Sequence, residues 1–263
     1  MKLTDAEHSV IAARLHTAIR TGQGIDPPSE STDYVFEDAY RIRRKLVDHL
    51  IADGGIPAGH KIGFTSETMQ KMYGMTGPDF GILLKHMFVP AGAPLAIGHL
   101  SDTRAEPELA FELAKPLEGP GVTLADALAA SARVMAAIEV IDSRVGAMRA
   151  AANDSLADNA GAGFVVLGSV SLAPDEVDLA AVHLSMEVDG DAQSAPAGDV
   201  MGHPAEPLAW LANTLPGLDG LGGSLKAGDI VITGAPVKSV AVKPGSKLSA
   251  SFGPFGTIDI EFT

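Results

Sequence analysis

The sequence contains no cysteine. That excludes a disulfide framework, a thiolate nucleophile and a cysteine zinc site, and it fits a reducing compartment. Positive charge is also scarce: 19 Lys and Arg stand against 33 Asp and Glu, a formal net charge of −14. A nucleic-acid binder needs a basic face and an anionic membrane recruits a polybasic segment, so neither partner is expected. There is no apolar run long enough to span a bilayer. The polar start, Met1 to His8, lacks the apolar stretch of a signal peptide, so the expected location is cytoplasmic. What the chain does have is length and apolar content. Its 263 residues are 46% hydrophobic, enough to bury the core of one large domain or of a main domain with a small satellite.

Two helical patterns come first. Val10, Ile11, Leu15 and Ile19 mark one face of a helix over Ala6 to Ile19, and Ala39, Ile42, Leu46 and Leu50 mark another over about Tyr34 to Asp53, closed by Gly54-Gly55. They form an N-terminal helical region, residues 1–58. From residue 59 to 263 short apolar strands alternate with Gly and Pro turns. Strands are expected at 61–64, 81–88, 106–113, 135–141, 164–170, 183–188, 230–232, 247–252 and 257–262. Alanine-rich 124–134 favours a helix, and 204–214 a short one around Trp210. With few helices among many strands, the fold class is α+β: a mixed-sheet or barrel-like catalytic domain rather than regular βαβ winding.

Chemistry concentrates in Arg104-Ala-Glu-Pro-Glu-Leu-Ala-Phe-Glu-Leu113. Side chains on a strand repeat every two residues, so Glu106 and Glu108 share a face, where they repel unless a cation or proton lies between them. Pro107 cannot donate to a ladder, which predicts an edge or a bulge. Exposed glutamates are common, and the pair alone would pass for a solvated strand face. Glu139 changes the balance: it is the one charge in Val134-Met-Ala-Ala-Ile-Glu-Val-Ile141, and a buried carboxylate needs a partner. Arg104 or Arg144 could supply it; so could a metal shared with Glu106 and Glu108. An all-carboxylate set suits Mg²⁺ or Mn²⁺ rather than zinc. Lys61 is either a surface lysine or one directed into a site to polarise an oxyanion or move a proton. Asp79, in Gly77-Pro-Asp-Phe-Gly81, reads first as a turn residue. His60 and His203 read as an exposed and a turn histidine, Trp210 as helix packing, and Gly220 to Gly223 as a loop. There is no Gly-x-Ser-x-Gly elbow or phosphate-binding loop.

Taken in order, Gly-His-Lys-Ile-Gly-Phe-Thr-Ser (59–66), Pro-Asp-Phe-Gly (78–81), Glu-Pro-Glu-Leu-Ala-Phe (106–111), Ile-Glu-Val-Ile-Asp-Ser-Arg (138–144) and Asp-Ser-Leu-Ala-Asp-Asn (154–159) resemble the 2-keto-4-pentenoate hydratases and 4-oxalocrotonate decarboxylases of the fumarylacetoacetate hydrolase superfamily. The resemblance extends over nearly the whole chain. It implies a mixed β-roll core with an N-terminal helical subdomain, a homo-oligomer, and metal ligation by Glu106, Glu108 and Glu139. It implies catalytic roles for Lys61 and Asp79 and substrate contacts from Ser66 and Asp158. The implied activity is hydration of a small 2-oxo or 2-hydroxy dienoic acid in the meta-cleavage catabolism of aromatic compounds, by an enzyme that can associate with a companion pathway enzyme.

The segment between Arg144 and Asp154 is short and alanine-rich, where relatives acting on seven-carbon diacids tend to carry a longer basic insertion. A monocarboxylic substrate is therefore expected, with Arg149 the candidate tail contact should a diacid be used. Residues 113–120 look closer to those diacid relatives. Decarboxylation of a 2-oxo-dienedioate could run on the same site. Hydrolysis of an acylpyruvate would need a water-activating His–Glu pair, and no convincing pair is present. A purely assembling, non-enzymatic subunit would be expected to have lost Lys61 or the carboxylates.

Overall fold

The computed structural model describes every residue except 67–69, 71–74, 76, 148, 219, 221 and 222. Helix α1 (Asp5–Thr21) opens on Thr4, whose hydroxyl accepts from the Glu7 N–H while the Glu7 carboxylate takes the Thr4 N–H, and it closes on left-handed Gly22. Helix α2 (Phe36–Ala52) is tied to it by Asp38, a fully buried carboxylate that accepts the N–H groups of Lys2, Leu3 and Val35 and meets the His8 ring. These caps carry α1 two residues beyond the expected end. Between the helices, Ile11, Leu15, Ile42 and Leu46 share a core with Val145, Leu156 and Ala157. The last two belong to α4 (Ala152–Ala157), so the helical region packs onto the segment that follows the central strands.

The remaining described strands form two sheets. The larger runs β2 (Asp79–Leu84), β1 (Pro57–Gly63), β9 (Ile230–Ile232), β4 (Thr103–Leu113), β5 (Ser131–Asp142), β6 (Phe164–Leu172) and β3 (Phe88–Pro90), with β10 (Val240–Ala241) pairing β4. β1/β9 and β3/β6 are parallel and the other pairings antiparallel, so the sheet is mixed. The smaller sheet runs β12 (Thr257–Glu261), β11 (Lys247–Ser251), β7 (His183–Val188) and β8 (Asp191–Pro196). Leu109, Phe111, Ile138 and Val140 of β4 and β5 pack with Leu184, Met186, Leu248, Ile258 and Ile260 of the smaller sheet in one core. The opposite face of β4 and β5 carries Ala110, Met135 and Ala137 in a second apolar cluster with Leu83, Val165 and Ile232, and the glutamates lie further along that same face. No described helix is long and apolar enough to cross a membrane.

Three local expectations change. The alanine-rich helix α3 (Leu124–Ala130) stops four residues early, because Ser131 to Val134 pair with β4 and tertiary pairing overrides propensity. The strand expected over 81–88 starts at Asp79 and breaks at a 3-10 turn, Lys85–Met87. β4 is interior rather than an edge. Pro107 is tolerated because β9 flanks only Ala110 to Glu112 and β10 only Arg104 and Ala105, leaving a gap in the ladder between them. Helix α5 (Glu206–Thr214) lies where expected, and Trp210 packs edge-on against Phe80.

Gly81 on β2 is hemmed in. A Cβ there would lie 2.3 Å from the Asn159 carbonyl oxygen and 3.2 Å from Lys61 Cγ. Gly81→Ala should therefore lower the stability of the fold by about 1–3 kcal/mol, the scale of overpacking. An unchanged denaturant midpoint would show that this approach is not close in solution.

Candidate active site

The antiparallel register of β4 and β5 sets Glu106 directly opposite Glu139, with Glu108 one step along the same face. Like charges facing each other across a ladder are destabilising. Here the cost is compounded by burial: Glu108 is fully buried and Glu139 is 1% exposed. The three carboxylates converge until one oxygen from each lies within 4.8 Å of the others. Glu108 Oε2 accepts the Gly234 N–H at 2.6 Å, while Glu108 Oε1 and both Glu139 oxygens have no hydrogen-bond donor.

Neither arginine partners Glu139. Arg104 is bound to the hydroxyl and carbonyl oxygen of Ser239, and Arg144 to Asp158. The cation beside Glu139 is Lys61, its Nζ 3.3 Å from Oε1, close enough to pair but not aimed for a hydrogen bond. Lys61 is buried, not a surface lysine, and its ammonium donates to the Ala160 carbonyl at 3.1 Å. Burial alone would lower its pKa, but the charges of Glu139, Asp79, Glu106 and Glu108 outweigh that and raise it, so Lys61 stays an ammonium. Asp79 opens β2 opposite Gly63 and is buried as well; neither oxygen has a hydrogen-bond partner. A Cβ on Gly63 would meet Asp79 Oδ1 at 2.6 Å and Lys61 Nζ at 3.4 Å, so a glycine is what lets the two groups lie side by side. Burial raises the pKa of Asp79, against the pull of Lys61 and Arg43.

These groups open onto a cavity of about 640 Å³ lined by Lys61, Ser66, Asp79, Arg104 and Glu106, with Ala147 and Ala150 to Ala152 on one wall and Gln193 to Ala195 and Gly234 to Ser239 on another. Ser66 is thus at the wall. Asp158 is not: it is fully buried, its carboxylate taking the backbone N–H and Nε of Arg144 at 2.8 and 2.7 Å. Its place is structural, holding the turn in which Asn159 and Ala160 adopt positive φ and Ala160 offers its carbonyl to Lys61. Arg149 points away from the cavity, paired with Asp26 and Glu30 on the surface. His60 is buried, not exposed, near the Phe80 ring. His203 serves its turn, its Nδ1 accepting the Ala205 N–H. The 220–223 loop lies partly outside the described residues. Two contacts were not legible beforehand, the Gly234 N–H on Glu108 and the Ala160 carbonyl on Lys61. Both are backbone groups, which carry no side-chain signature.

Three carboxylates facing one ammonium leave a negative, under-satisfied pocket of hard oxygen donors. Those are the properties that suit Mg²⁺ or Mn²⁺. Burial and the neighbouring Glu139 push Glu106 up to about 7, and Glu108 and Glu139 move the same way. Folded-state values above the ordinary carboxylate value mean that the contribution of these three groups to the stability of the metal-free protein is fully present below about pH 4.5 and is lost as the pH rises through about 7. A metal needs the deprotonated forms. The gain in Tm on adding Mg²⁺ should therefore be small at pH 5.5 and clearly larger at pH 8. An equal gain at both would separate the cation from these carboxylates.

Comparison with known proteins agrees with this geometry. The model of the fumarylacetoacetate hydrolase C-terminal family matches residues 65–263. The chain is 37% identical to a 2-hydroxyhexa-2,4-dienoate hydratase of Comamonas testosteroni over 95% of both chains. It is 36% identical to a 2-oxo-hept-4-ene-1,7-dioate hydratase of Escherichia coli over 97% of both. Among solved structures, 4-oxalocrotonate decarboxylase from Pseudomonas putida G7, complexed with magnesium and adipate, superposes with a TM-score of 0.93 at 28% identity over 99% of both chains. With its α+β fold, its curled mixed sheet and these relatives, the chain belongs to the fumarylacetoacetate hydrolase family, among the 2-keto-4-pentenoate hydratases and their decarboxylase kin.

Proposed function

We propose that this protein is a hydro-lyase that adds water to a 2-hydroxyalka-2,4-dienoate to give a 4-hydroxy-2-oxo acid, with Glu106, Glu108 and Glu139 as ligands of a divalent cation. The observation that carries the proposal is the convergence of three carboxylates, Glu108 and Glu139 buried with oxygens that lack donors and Glu106 half-buried at the cavity wall, with Lys61 and Asp79. A divalent cation held there by Glu106, Glu108 and Glu139 would supply Lewis acidity toward the bound acid.

The side chains do the rest. Lys61, kept charged by its carboxylate neighbours, stabilises negative charge on the C2 oxygen. Asp79, whose pKa burial raises, is the group suited to hold and release a proton: it protonates the terminal carbon of the dienol while the C2 hydroxyl gives up its proton to solvent, leaving a conjugated 2-oxo-3-enoate. It then guides water, whose oxygen bonds to C4 while a proton goes to C3. Ser66 orients the acid from the wall. The alanine wall and the outward turn of Arg149 favour a short, uncharged tail; of the other cations on the wall, Arg104 is bound to Ser239, and Lys238 is the one that a second carboxylate would meet. We infer a monocarboxylic dienoate of the kind formed in aromatic-ring catabolism, acted on by a homo-oligomer.

Asp79→Asn should lower turnover by roughly 10²-fold or more, the scale of lost general acid–base catalysis, while the Mg²⁺-induced shift in Tm persists. Turnover at the parent rate would remove Asp79 from the chemistry. A panel of five-carbon, six-carbon and seven-carbon dicarboxylic dienols, run in ¹⁸O water, should give the best specificity constant with a monoacid and one labelled oxygen at C4. The likeness to the decarboxylase favours a second reading on the same site; CO₂ from 4-oxalocrotonate without label at C4 would establish it.

A further inference from the structure

The family model begins at residue 65, so helix α2 lies outside it. α2 nevertheless delivers a charge to the back of the site. Arg43 is fully buried. Its guanidinium donates to the Phe80 carbonyl at 2.7 Å, lies over the Phe80 ring at 4.0 Å from the centroid, and sits 4.9 Å from that of Tyr40. A buried guanidinium is costly unless carbonyl, π-face and opposite charge compensate it. Burial pulls its pKa down to about 10, so it remains a cation at neutral pH, and the Asp79 carboxyl, once its proton is given up, is the negative charge that acts on it. Phe80 is the residue after Asp79, and it pairs with Ile62, the residue after Lys61. A grip on the Phe80 carbonyl is thus a grip on the strand position that sets Asp79 beside Lys61.

We propose that Arg43 is a positioning residue for hydration: locked on the Phe80 carbonyl, it anchors the start of β2 and supplies, from behind, the second positive charge that holds the Asp79 carboxylate beside Lys61. The assignment rests on the catalytic role proposed for Asp79. Among the described residues, the charged and titratable groups around Asp79 come from different elements: Lys61 on β1, Glu106 on β4, Glu139 on β5, and Tyr40 and Arg43 on α2. Lys61 faces three glutamates as well as Asp79 and is paired with Glu139. The glutamates do not act on Arg43 in that way; the acidic groups that do are Asp79 and the Tyr40 phenol, which is neutral at neutral pH. The N-terminal helices are on this view part of the active site and not only a cover for the core.

Steady-state kinetics of Arg43→Gln, Arg43→Lys, Asp79→Asn and the Arg43→Gln/Asp79→Asn double variant test this, each first checked for a cooperative melt and for the Mg²⁺ shift in Tm. Arg43→Met, an apolar replacement of the kind buried ionic sites often tolerate, stands in should Arg43→Gln not fold. In Arg43→Gln, kcat should fall about tenfold, part of the range general acid–base catalysis supplies, with KM and the Mg²⁺ shift unchanged. Arg43→Lys should recover most of the loss. In the Asp79→Asn background, loss of Arg43 should change kcat by less than about twofold, because two residues acting through one group are not additive. An unchanged kcat in Arg43→Gln, or the same tenfold loss with and without Asp79, overturns the proposal. Parent-rate turnover in Asp79→Asn would instead defeat the role of Asp79, and the assignment of Arg43 with it.

Discussion

Three carboxylates share one buried face of a sheet, and two of them stand opposite each other across the β4/β5 ladder. In water such groups would separate; in the low-dielectric interior their repulsion and their lost hydration are both large. Much of the surrounding structure answers that constraint. Lys61 brings an ammonium to Glu139, Gly234 turns an N–H onto Glu108, and the oxygens left without donors are the ones to which a hard cation can bind. The same constraint explains why the opposite face of β4 and β5 is so thoroughly apolar. Leu109, Phe111, Ile138 and Val140 join the core between the sheets, and that burial holds the strands in register while the charges push them apart.

Lys61 and Asp79 are brought together by glycines and backbone contacts rather than by their own affinity. Gly63 leaves room for both, Gly81 lets the lysine stem pass the Asn159 carbonyl, and the turn after α4 presents the Ala160 carbonyl to the ammonium. That turn is held by Arg144, whose guanidinium and backbone N–H are bound to Asp158, with further bonds to the Asp158 and Ala162 carbonyls. The Asp158–Arg144 pair thus lies off the cavity wall yet holds the turn that presents the Ala160 carbonyl to Lys61. Buried pairs of this kind contribute little net stability but are costly to break, which suits a fixed scaffold.

The cavity draws its walls from distant parts of the chain: the end of β1, the alanine-rich segment before α4, the edge strand β8, and the loop after β9. The end that holds Lys61, Asp79 and Glu106 is charged, while its alanine wall is small and apolar. Such a gradient matches an acid whose head is chelated and whose tail only needs space.

Much of this was legible in the residues themselves. The two-residue period of a strand put Glu106 and Glu108 on one face, and the apolar run around Glu139 marked a carboxylate in need of a cation, because both facts depend only on local geometry and on the cost of burying charge. The order of the motifs identified the family. What the sequence could not determine was every relation between distant segments. That Lys61 and not an arginine meets Glu139, that Asp158 binds Arg144 and lies off the cavity wall, that Pro107 sits in a gap of an interior strand, and that Arg149 faces away from the cavity all follow from strand register and from which loops fold over which face. Those are settled by the joint packing of elements far apart in the chain, and no local pattern encodes them.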